Sequence, residues 1–368
     1  MSTETPPPVD STLAAVEIPA DLLAQVDDSA EAIDAGTVAA REILPQLAAA
    51  GLLDLGAPSN NSGGLVKQAA VIEALGQRSL SAAFAVWGHR MSIEYLCLAG
   101  GTYAESLLPA MRSGEVPGVS GMASAFKTYA GAGELGLRLT RDGQGRLLLS
   151  GKLPWASNLH PDAVAVTAAY GPEGEGDGDR SKLIIAVPLS APGVQVGTRL
   201  NLLALQGTAS TSVTLDNVPL SEEQVLSTDF EGFMTRCRPT FAVLQSSFCL
   251  GLAAASHRHT RANISGINEV FRQELHQLGD ELEARTKQLR DYAERVATSA
   301  PPQRQEVLSL RLAVGHLALA LATLEVKTVG GKGYISNSDP NRRYREATFI
   351  PVQSPSEAQL RWELAQGR

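Results

Sequence analysis

The stretch LGLRLTRDGQGRLLLSGKLPWASN, residues 135–158, decides how this chain is organised. Leu135, Leu137 and Leu139 alternate with Gly136, Arg138 and Thr140, the period of a half-buried strand. Arg141-Asp142-Gly143-Gln144-Gly145 supplies turn residues, and Leu147 to Ser150 restores an apolar run, so the pattern predicts a hairpin. The stretch ends on Trp155-Ala156-Ser157-Asn158, which puts an indole and a hydroxyl close together at a strand end. A core Trp followed by a turn would account for the same four residues.

Outward from the hairpin, the strand signals continue. Residues 163–167, 182–187, 194–199 and 212–215 read as further strands, and 171–179 reads as an exposed Gly/acidic loop. Several short strands at this spacing predict a small antiparallel barrel or sandwich over 116–226. Both flanks are helical in pattern. On the N-terminal side, 29–50, 65–78, 82–99 and 103–112 carry helical spacing; on the C-terminal side, 241–261, 270–297, 304–329 and 357–364 do. The expected organisation is therefore α+β and multidomain: a helical unit over 1–115, a β-module over 116–226 and a helical unit over 227–368. A crevice at such a junction is a favoured ligand site.

Composition narrows the function. Hydrophobic residues make up 44% of the 368 and charged residues 19%, the profile of a folded globular chain. Thirty-nine acidic residues against 31 basic ones give a net charge of −8, with no basic block, which argues against a nucleic-acid partner. No apolar run suggests a bilayer span, and the polar, Pro-rich residues 1–10 lack the features of a signal peptide, so the expected location is cytoplasmic, away from membranes. Cys97, Cys237 and Cys249 have no metal-ligand spacing and are expected to be reduced thiols. His160, His257 and His259 have no metal spacing either. Gly330-Gly331-Lys332-Gly333-Tyr334, after a long helix, reads equally as a helix-terminating loop or as backbone that lets a phosphate approach. Arg342, Arg343 and Arg345 beside Asp339 and Glu346 read as an ion-paired or solvated loop.

Taken in order, these pieces resemble the acyl-CoA dehydrogenase superfamily from about Ala39 to Ala365. Leu52-Leu-Asp-Leu-Gly-Ala-Pro, Gly63-Gly64 and Ile72-Glu-Ala-Leu-Gly are similar to its "GL-x-G-x-P…GG…EELG". Leu108-Pro-Ala-Met-Arg-Ser-Gly-Glu is similar to "LP-x-L-x-SGE", and Gly151-Lys-Leu-Pro-Trp-Ala-Ser-Asn to "G-x-K-x-W-I-T-N". Leu205-Gln206-Gly207-Thr208, Asp216-Asn-Val-Pro-Leu and Gly330-Gly-Lys-Gly-Tyr match later motifs. The resemblance implies a helical N-terminal domain, a β-barrel and a C-terminal four-helix bundle. It implies FAD between barrel and bundle, in a homodimer or homotetramer. Trp155 would pack on the isoalloxazine, Ser157 would face flavin N5, and Arg261 would reach the pyrophosphate. Gly330, Gly331 and Gly333 would line the adenosine-phosphate end, typically from a neighbouring subunit.

The departures bear on chemistry. Where the family carries its catalytic Glu in "EGT-S-E-x-Q", this chain reads Gln353-Ser354-Pro355-Ser356-Glu357-Ala358-Gln359. An amide is no base near neutral pH. Glu357, one helical turn on, could substitute only if the loop is displaced. The family's "T-E-P-x-x-G-S-D" is absent, leaving Ser120 or Ser124 to donate to the flavin pyrimidine. The family's "R-x-x-F-G" is Arg261-Ala-Asn-Ile-Ser. The expected activity is a flavin-dependent oxidoreductase with hydride or oxygen chemistry at N5/C4a. Dehydrogenation of an acyl-CoA and monooxygenation of a small molecule by reduced flavin and O₂ compete within it, the latter served by a flavin reductase, the former by an electron acceptor. A non-catalytic flavin- or acyl-CoA-binding scaffold is the third expectation.

Overall fold

The computed structural model describes residues 16–60, 64–174 and 181–367; residues 1–10, Gly63 and most of the 171–179 loop lie outside the described residues. The chain begins with helices α1 (Ala20–Ala35), α2 (Ile43–Ala49), α3 (Gly64–Gly76), α4 (Leu80–Ala99) and α5 (Gly101–Arg112). The expected single helical run over 29–50 is broken at Gly36. This residue caps α1 at φ 71°, a left-handed conformation that glycine adopts without steric cost. Helix α4 is buried along nearly its whole length; most of its residues are apolar, and its two charges, Arg90 and Glu94, are buried as a pair at 2.9 Å.

The middle of the chain contributes β1 (Gly118–Gly121), α6 (Ala123–Ala130), β2 (Leu137–Arg141), β3 (Leu147–Ala156), β4 (Val164–Tyr170), β5 (Lys182–Pro188), β6 (Val194–Val196), β7 (Thr211–Leu220) and β8 (Val225–Ser227). The hairpin read from 135–158 is the β2–β3 pair. The expected closed antiparallel barrel is corrected. The strands form one open eight-stranded sheet in the order β6-β7-β3-β2-β4-β5-β8, with β1 beside β4. The two ends are three-residue strands, a usual way of blunting a sheet edge. Nor is the sheet wholly antiparallel: β1 and β2 both pair with β4 in parallel. Helix α6 and the hairpin separate β1 from β4, a connection long enough for a parallel pair.

Helices α7 (Phe230–Ala262), α8 (Arg272–Arg295), α9 (Arg304–Val329), α10 (Asp339–Phe349) and α11 (Glu357–Ala365) complete the chain. Helix α7 starts well before the expected 241, capped by the Asp229 side chain on the Gly232 amide. The arginine cluster is not a loop but helix α10, begun by a Ser338 cap. Its charges are buried in pairs: Arg343 donates to Glu325 of α9 at 2.5 and 3.0 Å, and Arg342 pairs with Glu346 at 3.2 Å. By length and composition, α7 and residues 304–334 do reach the threshold for a membrane span, contrary to expectation. Their apolar windows are 89% and 61% buried within the fold, as core helices are.

Two apolar cores result. One lies on the outer sheet face, from Leu137, Leu149, Ile185 and Val213 among others. The larger joins N-terminal and C-terminal helices and takes in the other face of β4 and β5 through Val164, Val166, Ile184 and Ala186. Strands β4 and β5 are thus buried on both faces, which explains why they read as continuous apolar runs. The end of β3 emerges where sheet and helices meet.

Candidate functional site

A cavity of about 800 Å³ opens at that junction, a volume typical of small-molecule and cofactor sites. It is lined from the end of β3, from α4, α6 and α7, from the 202–210 loop and from the segment after α10.

The strand wall comes first. Strand β3 loses register with β7 between Leu153 and Ala156. That irregularity leaves Pro154 and Trp155 both exposed on the cavity wall, a re-aiming that bulges commonly achieve. Trp155 is 44% exposed, so it is not the core tryptophan that packing alone would predict. Ser157 follows, half-buried, and its hydroxyl meets the Ser210 hydroxyl at 2.6 Å. Asn158 is buried and left-handed (φ 61°). Its Nδ2 donates to Ala85 and Gly118 carbonyls at 2.9 and 3.1 Å, tying the strand end to α4 and β1. Its Oδ1 has no partner among the described residues.

The opposite wall is aromatic. Phe84 and Trp87 of α4, Phe241 of α7 and Phe349 of α10 pack together with ring centroids 4.9–5.3 Å apart. Gln353, in the turn before α11, lines this side and is 5% exposed. Its Oε1 accepts from Gln245 Nε2 at 2.6 Å and from Arg311 Nη2 at 3.0 Å. Arg311 also donates to Gln245 Oε1 at 2.9 Å and to the Ile350 carbonyl at 3.0 Å. A guanidinium can only donate, so both amide oxygens must face it. Arg311 is buried and has no carboxylate partner among the described residues.

The structure thus brings Trp155, Ser157, Ser124 and Gln353 onto one cavity. Ser124, in the first turn of α6, has a buried hydroxyl with no partner among the described residues, whereas Ser120 is engaged by the Tyr95 hydroxyl at 3.0 Å. The other expected residues lie elsewhere. Glu357 does not line the cavity; its carboxylate is held by His316 at 3.0 Å and Arg361 at 2.8 Å. Those two donors, His316 first, keep its carboxyl below the usual range. Arg261 is exposed at the end of α7. Gly330, Gly331 and Gly333 form a single 3₁₀ turn after α9, off the cavity lining. Gly333 packs on Val329 and Pro340. Burial pushes His160 down to about 4, so it is neutral beside the site.

Several lining residues went unread in the sequence. Ser210 and Glu134 carry no motif. Among the described lining residues the ionisable side chains are Lys127, Glu134 and Arg345. Lys127 and Glu134 are exposed at the rim, and Arg345 is committed to Asp34 at 2.6 Å and to the Leu203 carbonyl at 2.9 Å. A trace of Arg311 was visible, as the single charge in the apolar run 307–322.

The residues present fit a planar aromatic cofactor. A half-exposed indole stands beside a hydroxyl on one wall, and unpartnered buried polar atoms of Ser124, Asn158 and Ser354 belong to lining residues. No protein-family model matches this sequence, and no curated protein does. Solved structures do. Butyryl-CoA dehydrogenase from Megasphaera elsdenii is 14% identical with a TM-score of 0.81, the match covering 96% of this chain and 99% of that one. Nitrososynthase from Micromonospora carbonacea var. africana is 20% identical with a TM-score of 0.78, covering 96% and 98%. KijD3, solved with FMN and a dTDP-linked 3-amino-4-keto sugar, is 18% identical with a TM-score of 0.79, covering 96% and 94%. The chain has the fold of the acyl-CoA dehydrogenases.

Proposed function

We propose that this chain is a flavin-dependent oxidoreductase that uses reduced flavin and O₂ on a small molecule rather than dehydrogenating an acyl-CoA through residue 353. The observation that carries the proposal is the Gln353 amide, whose oxygen is locked by Arg311 and Gln245 on the aromatic wall of the cavity. Removal of a proton α to a carbonyl needs a base within hydrogen-bond reach of that proton. Among the described residues the interior lining offers none, and the lining carboxylate there, Glu134, is exposed at the rim.

Trp155 and Ser157 would hold the flavin ring, with Ser124 donating to its pyrimidine edge. Bound flavin would supply the two-electron chemistry. The chain's own part is to orient the ring against Trp155, to exclude water with Phe84, Trp87, Phe241 and Phe349, and to keep position 353 uncharged. FAD is the form we assign, drawn from the resemblance. Arg261 and Gly330, Gly331 and Gly333 would then contact the flavin of a neighbouring copy. Exposed Ile267, Val270, Tyr334 and Ile335 around that end of α9 are consistent with a homo-oligomer. A separate flavin reductase would be the reductant's source.

The test is to mix the protein anaerobically with photoreduced FAD, then add O₂ and follow the flavin band. Binding that quenches Trp155 fluorescence, lost in Trp155→Phe, is the expected result. Failure to bind flavin in either redox state would sink the proposal and favour a scaffold. The dehydrogenase reading has one specific residue in its favour, Glu134, and Glu134→Gln would abolish acyl-CoA-dependent bleaching if that reading held.

A further inference from the structure

The Ser157 hydroxyl is the end of a chain. Ser157 Oγ meets Ser210 Oγ at 2.6 Å, and Ser210 Oγ meets Thr208 Oγ1 at 2.7 Å. Thr208 Oγ1 in turn donates to the Leu205 carbonyl at 2.7 Å. Thr208 is 1% exposed and Ser210 7%. Ser157 and Ser210 line the cavity. Each hydroxyl has one proton, and the carbonyl at the far end can only accept. Thr208 therefore spends its proton on Leu205, Ser210 must donate to Thr208, and Ser157 must donate to Ser210. No other acceptor takes the Ser210 or Ser157 proton among the described residues. What Ser157 turns toward the cavity is then lone pairs.

The turn that sets this direction is built at a backbone cost. Leu205 (φ 62°) and Ala209 (φ 49°) are left-handed non-glycine residues on either side of residues 206–208. Gly207 between them packs so tightly on the end of α1 that a Cβ would come within 2.5 Å of the Ile33 carbonyl. Asp34 Oδ1 accepts the Leu205 amide at 2.9 Å, and the Asn158 amide donates to the Thr208 carbonyl at 2.8 Å.

We propose that Thr208 and Ser210 are positioning residues that fix Ser157 as a hydrogen-bond acceptor toward the cavity, so that the site selects the reduced over the oxidised form of its flavin. This rests on the flavin reading of the cavity, with Ser157 facing N5. The chemistry then follows. Oxidised N5 offers a lone pair and needs a donor, whereas two-electron reduction leaves N5 carrying a hydrogen that needs an acceptor. To meet the oxidised ring, the chain must reverse and give up one buried hydrogen bond. Such a bond is worth enough to change an equilibrium several-fold. The selection suits an enzyme that receives flavin already reduced.

Two substitutions test it without touching Ser157. Ser210→Ala removes the acceptor of the Ser157 proton. Thr208→Val removes the acceptor of the Ser210 proton, which then turns to Ser157 Oγ and frees Ser157 to donate into the cavity. The readout is the ratio of dissociation constants for oxidised and photoreduced FAD, checked by the midpoint potential of the bound flavin. Wild type is expected to bind reduced FAD more tightly. Both variants should lose about fivefold to tenfold of that preference, and Thr208→Ser, which keeps the hydroxyl, should retain it. A ratio unchanged in both variants while flavin still binds overturns the relay alone. Wild-type protein that binds neither form overturns the flavin reading and the relay with it.

Discussion

The two walls of the cavity are held by different forces. The helical wall is backed by buried ions: Arg238 and Arg304 share the Glu363 carboxylate at 2.8 and 2.6 Å, Arg343 grips Glu325, and Arg311 fastens Gln245 and Gln353. The strand wall has almost no charge. It is held by Asn158, a row of three hydroxyls and a turn with two left-handed residues. Breaking a buried ion pair costs several kcal/mol, since it leaves an uncompensated charge. Hydroxyls can exchange donor and acceptor roles by rotating a proton. The contrast sets ion-paired helices on one side against rotatable hydroxyls on the other, and the flavin contact proposed above falls on the hydroxyl side.

The largest expected effect breaks the helical wall. Glu363→Ala would leave Arg238 buried without a carboxylate partner among the described residues, beside the like-charged Arg304 and the Phe126 and Tyr129 rings, which lie 5.6 and 4.9 Å from its guanidinium carbon. Denaturant unfolding should show a loss of about 3–5 kcal/mol. A change under 1 kcal/mol would mean that these ions do not hold the wall.

Next comes the link between the walls. His89 is fully buried; its Nδ1 accepts from the Gly118 amide at 2.9 Å and its Nε2 lies 3.0 Å from the Met111 carbonyl. Burial pushes its pKa down to about 4 from an ordinary 6.5. A histidine depressed in the folded state stabilises fully above the unfolded value and loses that contribution as pH falls from 6.5 toward 4. Stability should drop by about 2 kcal/mol between pH 7 and pH 5 on this account. A His89→Asn variant should show a flatter pH profile over the same range; an identical profile would remove His89 as the cause.

Smaller effects probe the strand wall. Trp155→Ala should change stability by under about 1 kcal/mol, because the ring is half exposed, yet weaken FAD binding about tenfold or more. Equal flavin affinity in both proteins would detach Trp155 from the site. The smallest effect expected is that of Gln353→Glu. A carboxylate there would sit 3.0 Å from Arg311, which would hold it below the usual carboxylate range and make it a poor base. The variant should fold and should not gain acyl-CoA dehydrogenation. Gained activity would mean that only the base was missing.

Much of this was legible in the sequence, and the failures share a cause. The hairpin at 135–158 and the long helices follow from local periodicity and turn chemistry, which act over a few residues, whereas Trp155 and Ser157 are singled out by the resemblance. Closure of the sheet does not: whether β6 meets β8 depends on strand lengths and order, which the alternation pattern does not encode. Helix α10 was hidden because its arginines look solvent-facing until Glu325, eighteen positions away, is brought against Arg343. Ser210 gained meaning only when β7 carried it beside Ser157, a contact spanning 53 positions. Glu357 was misleading in the opposite sense: it is near Gln353 in sequence, but α11 turns it toward His316.

The central claim is that flavin chemistry proceeds here without a base at position 353, and one measurement meets it directly. FAD-loaded wild-type protein would be titrated anaerobically with a panel of acyl-CoAs while the flavin absorbance is recorded. The account predicts an unchanged band across the panel. Bleaching by any acyl-CoA would contradict it, because hydride transfer would then occur with Gln353 in place and another residue, Glu134 foremost, would have to take the proton.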